Sequence, residues 1–235
     1  MRIDKLLSEM GIATRSEARS AASRGGVLVD GVAVKDLSRH VDPERVTITY
    51  LGRRIGYDKF VYVMLNKPEG YVSATEDSSL PVVTELLPEE LRRRELFPVG
   101  RLDRDTTGLM ILTNDGKLAH SVLSPKHHVA KVYFFTAAEP MADGVEDYFR
   151  DGVTLRDGYE CKSALITLSP DRLSGYITLT EGKYHQIKRM VAATGNRVTS
   201  LRRISFADIE LDESLAPGEW RMLTDDEAAK LKAQQ

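Results

Sequence analysis

The 235-residue chain predicts an α+β fold, a basic helix–helix–hairpin module followed by a larger domain with a mixed, largely antiparallel sheet. Two observations carry this. Many short β-type runs alternate with few helical ones, without the repeating strand–helix–strand register of a parallel sheet. The first sixty residues also carry net +3 and the remainder net −5, although the whole chain is only −2. A positive module on a mildly acidic body points to a polyanionic partner.

In the module, Ile3, Leu6, Leu7 and Met10 recur at i, i+3, i+4, i+7, one face of a helix that Gly11 can stop. Thr14-Arg15-Ser16-Glu17 reads as a capping box opening a second helix. Its Ala18, Ala21 and Ala22 make a narrow apolar stripe suited to close packing. Val27–Val29 and Val32–Val34 flank Asp30-Gly31, the signature of a tight hairpin, and Val46–Tyr50 is another strand. The two helices would turn Arg2, Lys5, Arg15, Arg19 and Arg24 towards phosphates. Residues 51–59, with two glycines, three basic groups and little periodicity, read as a linker.

The larger domain opens with a strand at Phe60–Leu65 and turn chemistry at 66–71. A short helix near Val82–Leu87 and the basic run Arg92–Arg94 follow. Leu109–Leu112 is a strand, Asn114-Asp115-Gly116 a turn, Lys117–Leu123 a helix, and 124–128 a loop. Ala130–Thr136 is a strand with Lys131, Tyr133 and Phe135 on one face. A helix is expected within 140–152 and strands at Ser163–Leu168 and Ser174–Leu179. Ile187, Met190 and Val191 form the buried stripe of a helix that Gly195-Asn196 ends. Further strands lie in 197–222, and a short polar helix follows Thr224.

Several chemistries are set aside. There is no Walker-A, Gly-x-Gly-x-x-Gly or Gly-x-Ser-x-Gly motif. The single Cys161 excludes an internal disulfide framework or cysteine-cluster metal site, and the histidines lack ligand spacing. No apolar run approaches the ~20 residues of a membrane span, and the N-terminus lacks a signal-peptide core. A cytoplasmic protein without membrane association is expected.

The stretch that demands explanation is Gly100-Arg101-Leu102-Asp103-Arg104-Asp105-Thr106-Thr107-Gly108-Leu109, a charged, glycine-bracketed loop between apolar runs. It resembles the catalytic motif of pseudouridine synthases. Three more blocks match that family in order: Asn66-Lys67-Pro68-Glu69-Gly70-Tyr71, Lys131-Val132-Tyr133, and Glu181-Gly182-Lys183-Tyr184-His185-Gln186-Ile187-Lys188-Arg189-Met190. Residues 1–50 resemble the S4 RNA-binding (αL) domain, through Arg2, Lys5, Leu6-Leu7, Ser16-Glu17-Ala18 and Gly26–Gly31. The combination is similar to the RsuA-type branch.

The resemblance implies an S4 domain at 1–50, a linker at 51–59, and a catalytic domain at 60–235 with a central cleft. It implies isomerisation of a ribosomal RNA uridine to pseudouridine, uridine 516 of 16S RNA being the favoured target. The chain's end soon after Trp220 favours that target over the 23S RNA modified by close relatives, some of which carry long basic extensions. Ribosomal RNA within a small-subunit assembly intermediate would be the partner of a monomeric enzyme, with no metal or organic cofactor. Asp103 would be the essential carboxylate, attacking the ribose, adding to C6 of the base, or removing the C2′ proton. Lys188 would be its cationic partner, with Arg189 the competing candidate, and Tyr133 would stack on the uracil or move a proton at C5. Arg101, Lys67 and Arg189 join the five N-terminal cations as RNA contacts, and Lys67 has cleft support as its alternative role. Asp105, Thr106 and Thr107 would fix the loop, the hydroxyls satisfying its amides, and Gly108 would allow close approach of substrate. The rival from another class is a non-catalytic S4 assembly factor on a degenerate scaffold. A glycosidase using Asp103 and Asp105 is a third reading.

Overall fold

The computed structural model describes residues 1–124 and 126–234. Pro125, in the expected loop at 124–128, and Gln235, at the end of the expected catalytic domain, lie outside the described residues. The chain divides into two compact units, residues 1–61 with 87–96, and residues 62–86 with 97–235.

In the first unit, α1 (Ile3–Glu9) buries Ile3, Leu6 and Leu7. Helix α2 (Arg15–Ser23) opens on the expected capping box. The Glu17 amide donates to Thr14 Oγ1 at 3.2 Å, and the Thr14 amide donates to Glu17 Oε2 at 2.7 Å. Such a cap contributes about 1 kcal/mol. Ala18, Ala21 and Ala22 are buried against the α1 side chains in one apolar cluster. Strands β1 (Val27–Val29) and β2 (Val32–Ala33) pair antiparallel. Asp30 and Gly31 between them both have positive φ, 51° and 80°, as a primed hairpin turn requires.

The linker expectation for 51–59 is corrected here. Strand β3 (Ile48–Tyr50) turns through Leu51 and Gly52, both left-handed, into β4 (Arg53–Ile55), and the two strands pair antiparallel. The sheet order is β2-β1-β3-β4. A hairpin therefore occupies what looked like connecting chain, because Gly52 supplies the backbone freedom for a second tight turn. Residues 87–96 add α3 (Glu89–Arg92) to this unit. Arg93 pairs with Glu89 and Glu17, and Arg94 donates to the Asp58 carbonyl.

In the second unit, β5 (Tyr62–Lys67) is buried along its whole length. It runs two residues beyond the expected strand, through Asn66 and Lys67, whose polar groups find internal partners. Asn66 Nδ2 donates to the Leu215 carbonyl at 2.8 Å. A 3₁₀ turn at Val83–Leu86 stands where a short helix was expected. Next come β6 (Phe97–Pro98), β7 (Thr107–Thr113) and α4 (Gly116–Leu123). Asp115 caps α4 by accepting from the Leu118 amide, and its other oxygen accepts from the Tyr62 hydroxyl at 2.9 Å. Burial and this carboxylate both push the Tyr62 phenol up from its ordinary value. The chain continues through β8 (Lys131–Ala137), α5 (Val145–Asp151), β9 (Leu165–Leu168), β10 (Ser174–Leu179) and α6 (Gln186–Ala193). It ends with β11 (Val198–Phe206), β12 (Ile209–Glu210), β13 (Trp220–Met222) and α7 (Asp225–Lys232).

The main path of this sheet runs β13-β5-β7-β11-β8-β10-β9. Among the described strand pairs, β7 with β11 is the parallel one and the others are antiparallel. The mixed, largely antiparallel sheet is thus present, with its parallel junction at the centre. Gly108 sits on that junction with φ 97°, and a Cβ there would lie 2.2 Å from the Arg203 carbonyl oxygen. Its glycine is required by the neighbouring strand, a packing demand separate from the expected approach of substrate.

Candidate active site

The charged loop connects β6 to β7, so a rigid sheet holds both its ends. Three residues from the Asn66–Tyr71 block and just beyond it pin its middle. Lys67 Nζ donates to the carbonyls of Pro68, Arg104 and Thr106 at 3.1, 3.2 and 2.8 Å. The Gly70 amide donates to the Arg104 carbonyl at 2.9 Å. Ser73 Oγ donates to the Leu102 carbonyl at 2.8 Å and accepts from its amide at 2.9 Å. A turn closes where the Thr106 amide donates to the Asp103 carbonyl.

Lys67 is 0% exposed, which overturns its assignment as an RNA contact and leaves the cleft-supporting role. Burial pushes its ammonium down to about 8, against the pull of Asp105 and Asp103. The expected loop-fixing hydroxyls are also corrected. Thr106 Oγ1 is buried without a hydrogen-bond partner among the described residues, and Thr107 Oγ1 reaches only the Leu201 carbonyl, at 3.5 Å. The loop is fixed by its carbonyls on Lys67 instead.

Asp103, with a side chain 26% exposed, faces the start of α6. Lys188 Nζ donates to Asp103 Oδ2 at 2.9 Å and to Asp105 Oδ1 at 2.5 Å. Burial alone would lower the Lys188 ammonium, but the two carboxylates outweigh it and hold it above its usual value. Burial likewise opposes ionisation of Asp105, and Lys188 overcomes it, keeping that carboxyl below the ordinary range. Asp105 therefore shares the cation with Asp103, beyond the loop role expected of it. Arg189 instead pairs with Asp157 and donates to the Tyr184 carbonyl. Of the two cations proposed for Asp103, the geometry selects Lys188.

Sequence reasoning did not single out His185 as a neighbour of Asp103. Its Nε2 lies 3.5 Å from Asp103 Oδ1, and its backbone is left-handed, φ 49°, just before α6. Glu181 anchors this approach, accepting from Tyr159 Oη at 2.9 Å, the Lys162 amide at 3.0 Å and Gln186 Nε2 at 2.5 Å. Gln186 Oε1 in turn accepts from the Lys183 amide at 2.8 Å. The five-residue separation of Glu181 and Gln186 was the available signal, since a buried acid and amide flanking a helix start can brace it.

Tyr133, on β8, is buried except for a small exposed part. Register places Gly108, Arg203 and Tyr133 in one row across β7, β11 and β8. The tyrosine lies two strands from the exit of the Asp103 loop, roughly 10 Å at ~4.8 Å per strand. Its hydroxyl has no hydrogen-bond partner among the described residues. Arg203, also buried, donates from Nε to the Leu109 carbonyl at 2.7 Å and stacks over Phe206. Arg101 is exposed on the loop. Among the described residues, no group of three or more His, Cys, Asp or Glu side chains converges as metal ligands would.

In the first unit, the proposed phosphate contacts do not form one uniform patch. Arg2 makes a bidentate pair with the buried Asp4 at 3.0 and 2.8 Å, and Arg19 reaches the same carboxylate at 3.8 Å. The Arg2 hydrogen bonds hold the Asp4 carboxyl below its ordinary range against burial, and Arg15 adds to the field. Lys5 pairs with Glu9 at 3.4 Å. Arg24, the residue that ends α2, lines a cleft with Ser16, Ser20, Tyr50 and Arg93.

A carboxylate paired with a lysine on a sheet-borne loop, in a chain that also carries a capped helix pair and hairpin, defines a class. The RNA pseudouridylate synthase family matches residues 61–193 and the S4 domain matches residues 1–46. The chain belongs to the RNA pseudouridylate synthase family, and its RsuA-type branch supplies full-length relatives. The ribosomal small subunit pseudouridine synthase A of Yersinia pestis is 42% identical, over 99% of each chain. That of Escherichia coli is 38% identical, over 98% of this chain and all of the relative. Bacillus subtilis YtzG, described as an uncharacterized RNA pseudouridine synthase, is 44% identical over 97% of this chain and 96% of its own. A crystal structure of a pseudouridylate synthase superposes with a TM-score of 0.69 at 37% identity, covering 98% and 99% of the two chains.

Proposed function

We propose that this pseudouridine synthase acts on small-subunit ribosomal RNA, with uridine 516 of 16S RNA as its target and an assembly intermediate as its substrate. The relatives named for the small subunit match this chain end to end. The observation that carries the catalytic assignment is the Asp103 carboxylate held by Lys188 at 2.9 Å, on a loop fixed from beneath by Lys67.

The reaction breaks the bond from ribose C1′ to uracil N1, turns the base, and joins C1′ to C5. The proton on C5 is then lost and one is taken up at N1, so no atom is gained overall. Each of the three roles open to Asp103 uses its carboxylate, to which Lys188 donates at 2.9 Å. Tyr133 stacks on the base or removes the C5 proton, for which its unpartnered hydroxyl is suited. The target uridine must leave its stack to reach Asp103, at a cost of a few kcal/mol, and Arg101 meets the RNA at that gap. Arg2, Lys5, Arg15, Arg19 and Arg24 position the RNA through phosphates, and Arg189 contributes once it exchanges Asp157 for RNA. The enzyme works as a monomer in the cytoplasm.

Tritium release from small-subunit RNA labelled with [5-³H]uridine tests this directly. Wild type releases label, and Asp103→Asn binds RNA but releases none. Carbodiimide mapping by primer extension then reports the modified position. Modification confined to large-subunit RNA would overturn the target, and no release from naked RNA or assembly intermediates would overturn the activity.

A further inference from the structure

Beside the Asp103–Lys188 pair lies a feature that neither the isomerisation chemistry nor the packing uses. Tyr184 is 75% exposed, and its ring lies flat on His185, centroids 3.9 Å apart at 17°. The far edge of that stack, His185 Nε2, is 3.5 Å from Asp103 Oδ1. The pair is thus a two-ring shelf with its inner end on the candidate catalytic carboxylate and its outer ring in solvent.

The shelf is built into the chain. His185 takes a left-handed backbone, φ 49° and ψ 34°, which a residue with a Cβ adopts at a cost of about 1–2 kcal/mol. The bracing described above holds it there. Glu181 binds Gln186, Tyr159 and the Lys162 amide, and Gln186 returns a bond to Lys183. Arg189 adds a bond to the Tyr184 carbonyl. A strained residue kept in place to stack a large ring in water indicates a surface awaiting a flat partner.

We propose that the outer face of Tyr184 stacks a nucleobase of the substrate RNA, that of a nucleotide flanking the target uridine. This inference rests on the RNA-modifying reading of the same site. Extruding the uridine breaks stacking with its neighbours, and an aromatic face one ring removed from the His185–Asp103 contact replaces part of it. Such stacking tolerates any base, since every base presents a π-face. It therefore contributes affinity and placement without choosing sequence. His185 is a positioning residue, carrying the Tyr184 ring and lying beside the carboxylate oxygen that Lys188 leaves free.

The test uses full-length protein and a small-subunit RNA fragment containing the target, with 2-aminopurine placed on either side of it in turn. Fluorescence changes on binding wild type at one flanking position, and Tyr184→Ala abolishes that change. The same variant weakens binding and raises KM by roughly 5- to 100-fold, with kcat at saturating RNA within about twofold. Tyr184→Phe, which keeps the ring, restores both. An abasic nucleotide at the responding position abolishes the difference between wild type and Tyr184→Ala. Unchanged affinity and KM in Tyr184→Ala, or a loss that persists against abasic RNA at both positions, would overturn the inference. Because fluorescence and binding need no turnover, an inactive wild type would count against the proposed reaction and leave the shelf to be judged by these two readings.

Discussion

Replacing Lys67 by Met keeps most of the side-chain volume and removes the ammonium. The structure allows its effect to be worked out. Three charge-assisted hydrogen bonds disappear, to the Pro68, Arg104 and Thr106 carbonyls. Each contributes about 1.5–3 kcal/mol when its donor is charged. Against this, the variant no longer keeps a cation out of water, a cost registered in the fall of the Lys67 ammonium to about 8. The Arg104 carbonyl also retains the Gly70 amide. The net loss is roughly 2–5 kcal/mol, and at about 2–4 °C per kcal/mol for a domain of this size Tm falls by about 4–20 °C. Asp103 lies within the released loop, so kcat falls by about 100-fold, the effect of an ångström-scale misplacement. The pH dependence has a definite sign. Between pH 8 and the ordinary lysine value near 10.5 the folded side chain is neutral while the unfolded one still holds its proton. Stability from this group is present above that window and is lost as pH falls through it. The stability gap between wild type and Lys67→Met therefore widens as pH rises through the window, and is constant below it. Calorimetry of both proteins from pH 6 to 10, with single-turnover tritium release, reads all three quantities. A Tm within 1 °C of wild type together with kcat within twofold would refute the bracing role.

Lys188→Met should lower kcat by at least about 100-fold, the usual scale for losing a charged active-site partner, while filter-binding affinity for RNA stays within threefold. Lys188→Arg should recover part of the rate, and a Met variant within fivefold of wild type would contradict the assignment. Gly108→Ala, whose Cβ would meet the Arg203 carbonyl at 2.2 Å, should cost more than about 3 kcal/mol in thermal unfolding. Gly116→Ala, with nothing within 4 Å of its Cβ, is the neutral or stabilising control. Arg15→Gln with Arg19→Gln should reduce the slope of log affinity against log salt by about 1.5 in titrations of RNA binding. An unchanged slope would remove both residues from the phosphate contacts.

Local signals were the most legible part of the chain. The Thr14–Glu17 cap, the Asp30-Gly31 turn and the Ile187–Met190–Val191 stripe depend on residues within one or two turns of each other, and each stands where its spacing placed it. The Lys188 pairing was also readable, but through a family likeness over a separation of 85 residues. Long-range consequences were less visible. The spelling of 66–71 suggested a turn, and nothing in it announced that Lys67 would be sealed under three carbonyls. Leu51-Gly52 hid a hairpin because leucine is an unusual first residue for a primed turn. The parallel pairing of β7 with β11 joins segments some ninety residues apart, and its demand for Gly108 appears only once they meet. His185 escaped notice for a conformational reason. Its backbone is left-handed just before α6, so helical spacing does not describe where its ring lies.

Under the proposed function, the charge arrangement around Asp103 gives a reason for the exposed cations on the same loop. Two carboxylates share the Lys188 ammonium, so these three groups together carry net −1. Phosphates are repelled from such a centre, and an uncharged uracil is not. Under that reading the field would sort the substrate, admitting the base and keeping the backbone at the rim, where Arg101 and Arg104 stand exposed on the same loop. As the glycosidic bond breaks by either ribose-centred route, the departing uracil takes on negative charge, and under the proposed function Lys188, seated on Asp103, would be the cation to meet it. Sharing Lys188 between two acids tempers its affinity for any single anion, so it can stabilise developing charge without retaining a phosphate. Removing Asp105 alone separates these roles. In Asp105→Asn the centre becomes neutral, inorganic phosphate should inhibit at several-fold lower concentration, and Asp103 should keep its lysine. Equal phosphate inhibition in wild type and Asp105→Asn would show that the second carboxylate has no part in excluding the backbone.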